Sequence, residues 1–324
     1  MTIVTAPAST ATKPMTRVLG FARDYAVLIL LVVLVIVLSI SSPSFLTFNN
    51  IVNIVAQNTP LAIVAVAGTF VIISGAFDLS TGAIFAVGSV TAAWLAAATG
   101  NPVLALLSAP LVGLLLGSLN GVAVTTLRVH SFLATLASSL VYKAVAVLIT
   151  GGSLITVTAI GFTALGRNRI FGVFISVFVL AAFTAIMWFV LSRTIFGRHV
   201  FAVGGNPEAA GLSGVRVNRI RVIVFALSGL AAGIAAAISV SRIGSGQPQA
   251  GLGIELQAIA AIILGGTSIY GGVGAVWRSL AGVFLIALIG NGFDLLNFNP
   301  QIKDLVTGLI ILAAVALAAV GKRR

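Results

Sequence analysis

The chain contains 324 residues, of which 59% are hydrophobic and 7% are charged, and its formal net charge is +12. Soluble domains carry about 25% charged residues, so this composition, with a mean hydropathy of +1.19, excludes a soluble globular protein. Cysteine is absent, which excludes disulfide frameworks and thiolate metal sites.

Apolar runs of about 20 residues, the length that an α-helix needs to cross a bilayer, recur along the chain. They predict an all-α, polytopic membrane protein with about ten transmembrane helices. In chain order the predicted spans are 25–42, 51–74, 82–99, 102–127, 131–150, 172–191, 222–241, 254–269, 273–293 and 303–320.

These spans divide the chain into three parts. Residues 1–23 are predicted to be a disordered N-terminus, residues 24–321 a single transmembrane domain with a long loop at 192–221, and residues 322–324 a basic tail. Arginine and lysine are retained in cytoplasmic loops, and an even number of crossings then places both termini and the long loop in the cytoplasm. The basic residues form no continuous patch, so we expect no nucleic-acid partner.

Small residues recur at every fourth position in two of the predicted helices. Gly113, Gly117 and Gly121 lie in the fourth span, and Gly229 and Gly233 lie in the seventh. Such stripes let helix backbones approach closely in lipid. We predict that they pack against other helices of the same chain, with a dimer interface as the alternative.

Sequence motifs of enzymes are missing from the chain. There is no HExxH, no GxSxG and no GxxxxGK[ST] loop that could hold nucleotide phosphates. We therefore expect neither ATP hydrolysis nor covalent catalysis, and no cofactor or metal in this chain. A protein of many membrane helices without such motifs is expected to move a solute.

Acidic residues bear on how the movement is driven, because an ion-coupled transporter needs ionisable groups inside the membrane. Asp24, Glu255 and Asp304 fall near predicted helix starts, and Glu208 falls in the long loop. Of the six acidic residues, only Asp78 and Asp294 remain as candidates. Each adjoins a predicted helix end.

Asp78 permits two interpretations. Its side chain could cap a helix that begins at Leu79, with assistance from Ser80. Alternatively, Gly75 and Gly82 bracket a break in the membrane helices, which is tolerated only where protein or a cavity covers the backbone.

A second segment has similar glycine spacing, and such pairs point to a translocation site. The matched positions are Ile72, Ile73, Gly75, Leu79 and Gly82 in the first segment and Ile262, Ile263, Gly265, Ile269 and Gly272 in the second. Gly266 and Gly271 complete the predicted second break.

Three sequence stretches resemble those of one family. AFDLSTG (76–82) is similar to that family's GIDLSVG box, GRHVFAVGGNPEAAGLSGVRV (197–217) to its long cytoplasmic signature, and LGGTSIYGGVGAVW (264–277) to its glycine-rich C-terminal box. The family is that of the membrane permease subunits of bacterial ABC importers for monosaccharides of the ribose, xylose and galactose type. The resemblance covers nearly the whole chain after about residue 22.

This resemblance implies the partners and the location. Two permease copies, identical or different, form the pore in the bacterial inner membrane, and an extracytoplasmic binding protein delivers the sugar. A separate ATPase subunit, which carries ATP and Mg, docks from the cytoplasm. The loop at 192–221 is its expected contact, through Gly204, Gly205, Asn206, Pro207, Glu208, Ala209, Ala210 and Gly214. Asn206 and Pro207 are placed to start a short helix, and Gly211 and Gly214 to end it.

Polar residues within the predicted spans are candidates for the substrate pathway. A neutral polyhydroxylated ligand suits amide and hydroxyl groups, which both donate and accept hydrogen bonds. The candidates are Asn53, Gln57, Asn58, Thr69, Asp78, Ser80, Asn120 and Asn291. The alternative for each is a hydrogen bond between helices.

Some residues depart from the family pattern, namely His130, Ser131, Lys143, Ala144, Gly211 and Arg278. They leave open the identity of the sugar and the detail of the contact with the ATPase. The alternative function is a secondary transporter or facilitator driven by an ion gradient.

Overall fold

The computed structural model describes residues 26–299, together with residues 301, 302, 305, 306, 308, 309 and 312. The predicted disordered N-terminus at 1–23 and the basic tail at 322–324 lie outside the described residues, as does most of the last predicted span.

Helices dominate the described residues. They are α1 (Ala26–Ser41), α2 (Phe48–Ile73), α3 (Thr81–Thr99), α4 (Pro102–Thr126), α5 (Ser131–Thr150), α6 (Ala164–Arg167), α7 (Ile175–Arg193), α8 (Ile195–Gly205), α9 (Pro207–Leu212), α10 (Val217–Ile243), α11 (Ile254–Leu264) and α12 (Val276–Leu295).

Four two-residue strands lie in the connections between described helices. β1 (Ile155–Thr156) pairs antiparallel with β4 (Ser245–Gly246), with Ile155 opposite Gly246. β2 (Arg169–Ile170) and β3 (Val173–Phe174) form a hairpin, with Arg169 opposite Phe174.

Within the described residues, seven helices are long and apolar enough to cross a membrane: α2, α3, α4, α5, α7, α10 and α12. α1 and α11 are apolar but shorter. The predicted span 254–269 is therefore wrong in its extent, because α11 ends at Leu264. At 1.5 Å per residue, the 11 residues of α11 reach only about 16 Å, roughly half of the hydrocarbon core.

α2 occupies the centre of the bundle. Its second half is apolar on every side and nearly every residue from Leu61 to Ile73 is buried, as expected for a helix with neighbours all round. The first half carries most of the amides of the helix. The polar cavity described below therefore lies at the amide-rich first half of α2, and a tightly packed helix break follows its apolar second half.

The predicted packing of the glycine stripes is confirmed. Gly113 and Gly117 of α4 face Gly229 and Gly233 of α10, and all of them are buried within the chain. A Cβ atom on Gly117 would lie 2.9 Å from the Cα of Gly229, so only glycine allows the two backbones to approach this closely. The stripes are therefore covered inside the chain and are not free to form a dimer interface.

Candidate functional site

Two helix breaks form the framework of the candidate site. At the end of α2, the N–H of Gly75 donates to the carbonyl of Ile72 at 3.0 Å, and the N–H of Ala76 donates to the carbonyl of Val71 at 3.1 Å. Gly75 has a φ of 76°, in the left-handed region. This pattern of bonds with a left-handed glycine is the Schellman motif, which ends a helix sharply.

α11 ends in the same way. The N–H of Gly266 donates to the carbonyl of Ile263 at 2.8 Å, the N–H of Thr267 donates to that of Ile262 at 3.2 Å, and Gly266 has a φ of 92°. Gly75 and Gly266 therefore hold the same position in the two motifs, whereas the sequence comparison paired Gly75 with Gly265. The similarity of the two breaks is present in the structure, but the predicted register is wrong by one position.

Gly82 follows the first break, at whose start Gly75 lies, so the two glycines bracket it. Gly82 is the second residue of α3, which begins at Thr81. A Cβ atom on Gly82 would overlap the Oε2 atom of Glu255 and lie 2.6 Å from the carbonyl oxygen of Gly251. The glycine is needed there because the start of α11 packs against α3.

The backbone between α2 and α3 is held by side chains of α5. The N–H of Phe77 donates to the Oγ of Ser131, and the N–H of Leu79 donates to the Oγ1 of Thr135, each at 3.0 Å. His130 caps α5 by accepting from the N–H of Phe132. Non-helical backbone at membrane depth requires hydrogen-bond partners such as these. His130 and Ser131, which depart from the family pattern, therefore have structural roles here, since Ser131 binds this backbone and His130 caps the helix that carries Ser131.

Both breaks meet α8 at a junction of glycines. The N–H of Gly272 donates to the carbonyl of Ile73 at 2.8 Å, which joins the second glycine-rich segment to the end of α2. A Cβ atom on Gly271 would lie 3.0 Å from the Cα of Gly75, and one on Gly204 would overlap the carbonyl oxygen of Ile73. We call Gly75, Gly204, Gly271 and Gly272 the glycine junction.

The predicted helix in the long loop is confirmed as α9. Asn206 caps it, since its Oδ1 accepts from the N–H groups of Glu208 and Ala209 at 3.0 Å each, and Pro207 takes the first position. Gly214, with a φ of 86°, follows its end as predicted. Gly211 lies inside α9 and does not end it.

The helix α8, which joins α9 to the glycine junction, was not predicted from the sequence. Thr194 caps α8 by accepting from the N–H of Gly197, a signal that the sequence contains. α9 itself exposes Glu208, and Leu212 is 92% exposed. A charged and an apolar side chain are thus presented on a short helix directly attached to the junction.

Asp78 lies at the centre of a buried hydrogen-bond network. Its Oδ1 accepts from the N–H of Ser80 at 3.0 Å and from the Oγ of Ser80 at 2.5 Å, and its Oδ2 accepts from the Oγ of Ser228 at 2.7 Å. The predicted cap is wrong in detail, because α3 begins at Thr81 and the carboxylate binds the residue before it. Since Ser228 lies near the middle of the long helix α10, Asp78 is deep in the bundle.

The network continues from Ser80 to two other helices. Asn120 of α4 donates through Nδ2 to the Oγ of Ser80 at 2.6 Å, and the hydroxyl of Tyr142 in α5 donates to the Oδ1 of Asn120 at 2.9 Å. Tyr142 and Ser228 were not predicted, because nothing local in the sequence marks them as partners. Asp78, Ser80 and Asn120, which we predicted as pathway residues, are thus engaged with one another and with these helices.

Thr69 stands apart from the other predicted pathway residues. Its Oγ1 donates to the Oγ of Ser279 at 2.7 Å, which links α2 to α12. Both side chains are fully buried. This contact matches the alternative interpretation of Thr69, a hydrogen bond between helices.

A polar cavity of about 450 Å³ opens between α2, α11 and α12. Asn50 and Asn291 bond to each other at its edge through both amides, at 2.9 and 3.1 Å. The polar side chains that line it are Asn50, Asn53, Gln57, Asn58, Gln257, Asn291 and Asp294. The structure therefore brings together four of the predicted pathway residues, Asn53, Gln57, Asn58 and Asn291, and adds Asn50 and Gln257, which were not predicted.

A second cavity, of about 330 Å³, continues the first toward the β1–β4 pair. Gln57, Asn58 and Gln257 line both cavities. Beside them, the guanidinium group of Arg169 in the β2–β3 hairpin lies 3.5 Å from the Oδ1 of Asn53 and stacks over the ring of Phe174 at 4.2 Å. The hairpin is therefore tied to the amide-rich end of α2.

Comparison with known proteins identifies relatives over most of the chain. A family described as "branched-chain amino acid transport system / permease component" matches residues 50–315. The ribose import permease protein of Escherichia coli (strain K12) is 39% identical over 292 residues, which cover 89% of this chain and 91% of that protein. No solved structure matches the chain.

Two other relatives match over a similar share of the chain. The ribose import permease protein of Bacillus subtilis (strain 168) is 40% identical over 283 residues, covering 87% of this chain and 88% of the relative. The L-arabinose transport system permease protein of Escherichia coli (strain K12) is 35% identical over 292 residues, covering 90% of this chain and 89% of the relative.

Proposed function

The chain belongs to the branched-chain amino acid transport system / permease component family, and from this premise we propose that it moves a monosaccharide or similar small polyol through the amide-lined cavity. It is a permease subunit of an ABC importer and not itself an enzyme. The observation that carries the choice of substrate is the lining of the cavity, since amide groups both donate and accept hydrogen bonds, as sugar hydroxyls do.

A branched-chain amino acid is the second candidate, because the family description names it. Its ammonium and carboxylate groups would favour a cavity with charged residues of both signs. The described residues that line the polar cavity include one acidic residue, Asp294, and no basic one, and Arg169 beside the cavity has its guanidinium group directed at the amide of Asn53. The relatives named above are import or transport permeases for ribose and L-arabinose, which also supports a sugar.

The proposed partners follow from the ABC importer class. An ATPase subunit that carries ATP and Mg docks on the loop at 192–221, where α9 presents Glu208 and Leu212. A second permease copy, identical or different, completes the pore, and an extracytoplasmic binding protein delivers the sugar. Membrane lipid surrounds the exposed apolar faces of helices such as α4 and α5.

We place the chain in the bacterial inner membrane with ten crossings and both termini in the cytoplasm. Seven long helices, the shorter α1 and the predicted last span support nine of these crossings, and α11 together with the glycine-rich segment after it would make the tenth. The Nε of Arg167 donates to the carbonyl of Arg242 at 2.7 Å, which puts these two arginines at one end of the bundle. Arginines of the 192–221 loop lie before the opposite end of α10 or in its first turns, which supports the predicted cytoplasmic side.

Co-purification tests the assignment to an ATP-driven permease. When the tagged chain is extracted from its own cells in mild detergent, we expect a stoichiometric partner that contains a P-loop. Recovery of the chain alone, with uptake that collapses when the proton or sodium gradient is dissipated, would instead identify a secondary transporter. Uptake of labelled ribose, arabinose and leucine by the same cells distinguishes the two substrate classes.

Gln57→Leu is expected to lower sugar uptake about tenfold, mainly through a higher KM. Gln57 lines both polar cavities, and losing one hydrogen-bonding group toward a ligand costs about 1–1.5 kcal/mol, where 1.4 kcal/mol is a factor of ten. Gln249→Leu is the matched control, because Gln249 is exposed and lies outside both linings. Equal uptake by the two variants would remove Gln57 from the pathway.

Glu208→Arg is expected to abolish most of the stimulation of ATPase activity by the sugar-loaded binding protein. Glu208 is in the first turn of α9, where a negative charge is favourable and an arginine reverses the charge offered to the ATPase. Thr126→Arg also introduces an arginine, at an exposed position at the end of α4 outside the loop at 192–221, and should leave stimulation unchanged. Normal stimulation in Glu208→Arg would exclude a coupling role for this residue.

A further inference from the structure

An apolar groove lies between the membrane-spanning helices α7 and α12, with Val55 of α2 also in its lining. Its volume is about 420 Å³, within the range of about 300–1,000 Å³ that is typical of ligand pockets. Along α7 the lining runs from Val177 to Trp188, a distance of 11 residues or about 16 Å. This is about half of the hydrocarbon core of a bilayer, which is the depth of one leaflet.

The lining of the groove suits a hydrocarbon chain. Its side chains are aliphatic or aromatic, with Thr184 as the exception. The hydroxyl of Thr184 has no partner among the described residues, but a threonine in a helix can donate to the carbonyl four residues earlier and so needs no polar ligand. Ala181 and Trp188 are exposed on α7, so the groove opens toward the lipid. A sugar would find almost no hydrogen-bonding groups there.

Two arginines stand beside tryptophans of the groove. The guanidinium group of Arg193 lies 5.9 Å from the centre of the Trp188 ring, and that of Arg278 lies 5.3 Å from the centre of the Trp277 ring. Both tryptophans line the groove, so both guanidinium groups are held near it. Among the described residues, neither guanidinium group has a hydrogen bond or an ion pair. Two positive charges without an anion are thus placed beside an apolar groove.

Both arginines lie at the end of the bundle that carries the glycine junction. Arg193 is the last residue of α7, and α8, which contains Gly204, begins two residues later. Arg278 is the third residue of α12, and a Cβ atom on Gly265 would overlap its carbonyl oxygen, which places it beside the second helix break. Tryptophan and arginine anchor membrane helices at the level of the lipid head groups. The charged end of the groove is therefore at a membrane surface.

We propose that the groove binds one acyl chain of an anionic phospholipid, whose phosphate group is held by Arg193 and Arg278. The planar guanidinium group offers pairs of N–H donors that match phosphate oxygens. Basic pockets between membrane helices on the cytoplasmic side bind anionic lipid head groups in this way. A zwitterionic lipid could fill the same groove with its chain, but its head group would bring a further positive charge next to two arginines.

The bound lipid would join α7 to α12 beside the second helix break. It also gives a role to Arg278, which departs from the family pattern. The proposal does not rest on the identity of the solute or on what drives its movement, because neither the groove nor the two arginines belong to the amide-lined cavity.

Native mass spectrometry of the purified complex tests the choice of head group. The complex is incubated with equal amounts of phosphatidylglycerol and phosphatidylcholine that have the same acyl chains. We expect the bound lipid to be enriched in phosphatidylglycerol about tenfold or more, since each arginine near a membrane surface favours an anionic lipid by about fivefold. Arg193→Gln combined with Arg278→Gln should remove most of this enrichment. Arg128→Gln, at an exposed arginine outside the groove, should retain it.

A second pair of variants tests the groove itself. Ala181 lines the groove and its neighbour Ala182 does not, although both are exposed on α7. Ala181→Phe should fill the space and lower the number of phosphatidylglycerol molecules bound per chain by about one, whereas Ala182→Phe should leave the number unchanged. Size-exclusion chromatography shows whether each variant assembles.

Four results would each overturn the proposal. Equal binding of the two lipids by the unchanged protein would do so without any variant, and so would enrichment that persists in the double arginine variant. The third is an equal number of bound lipids in Ala181→Phe and Ala182→Phe. The fourth is a loss of assembly in Ala181→Phe alone, because a protein surface, either the second permease copy or another segment of this chain, would then fill the groove.

Discussion

Gly204→Ala is expected to reduce sugar uptake at least tenfold and to uncouple ATP hydrolysis from the sugar-loaded binding protein. A Cβ atom on Gly204 would overlap the carbonyl oxygen of Ile73 and lie 2.7 Å from the nitrogen of Gly272. These atoms belong to backbone, so the overlap can be relieved only by separating α8 from both helix breaks. Overpacking of this kind costs about 1–3 kcal/mol, and 1.4 kcal/mol is a factor of ten.

Gly205→Ala is the matched control for this variant. A Cβ atom on Gly205 would have no described heavy atom within 4 Å, so alanine should be accommodated there with normal uptake. Uptake and ATPase activity of both variants are measured in reconstituted vesicles, after assembly has been checked by size-exclusion chromatography. Normal coupling in Gly204→Ala would show that the glycine junction does not transmit motion.

Asp78→Ala is expected to prevent assembly, whereas Asp78→Asn should keep uptake within about threefold of normal. Alanine leaves three buried donors unsatisfied, on Ser80 and Ser228, and each costs about 1–3 kcal/mol. Asparagine keeps an oxygen for Ser80 and can donate its amide to the Oγ of Ser228. The measurements are the yield of folded complex and the initial rate of uptake.

The two variants together separate a structural role of the Asp78 charge from a role in ion coupling. If Asp78→Asn assembles normally and still loses uptake, the charge itself is required, as in an ion-coupled transporter. If both variants assemble, the hydrogen-bond network around Ser80 contributes less to stability than the structure indicates.

The glycine junction suggests how the loop and the pore communicate. α9 is capped by Asn206, which directly follows Gly205, the last residue of α8. Gly204 touches the end of α2 and the second glycine-rich segment through backbone atoms. A displacement of α9 by the ATPase would therefore reach both helix breaks without passing through flexible side chains.

Much of the candidate site could be predicted because its signals are local. The helix α9 follows from an asparagine and a proline at its start, and the interrupted helices follow from glycines that adopt left-handed backbone. Gln57 and Asn58 were recognisable as amides in an apolar helix. The one-residue error in matching Gly75 to Gly265 arose because glycine spacing alone does not tell which glycine of a pair takes the left-handed position.

Other features depend on residues that are distant in the sequence. The prediction that Glu255 lies near a helix start did not reveal its burial, because Gly82 makes room for it from another helix. Tyr142 and Ser228 carry no local pattern that links them to Ser80 or Asp78. Asp78 bonds to a residue 150 positions away, and Asn50 to one 241 positions away.

Local sequence was enough to predict a membrane protein with long apolar helices, because hydropathy accumulates along each segment and helix caps act on adjacent residues. The resemblance of three stretches to a known family added the expectation of a permease. Which glycines touch and which amides share a cavity became visible only in the folded chain. These contacts depend on the angles and distances at which helices pack, and a small shift between two helices changes every one of them while leaving the local sequence signals unchanged.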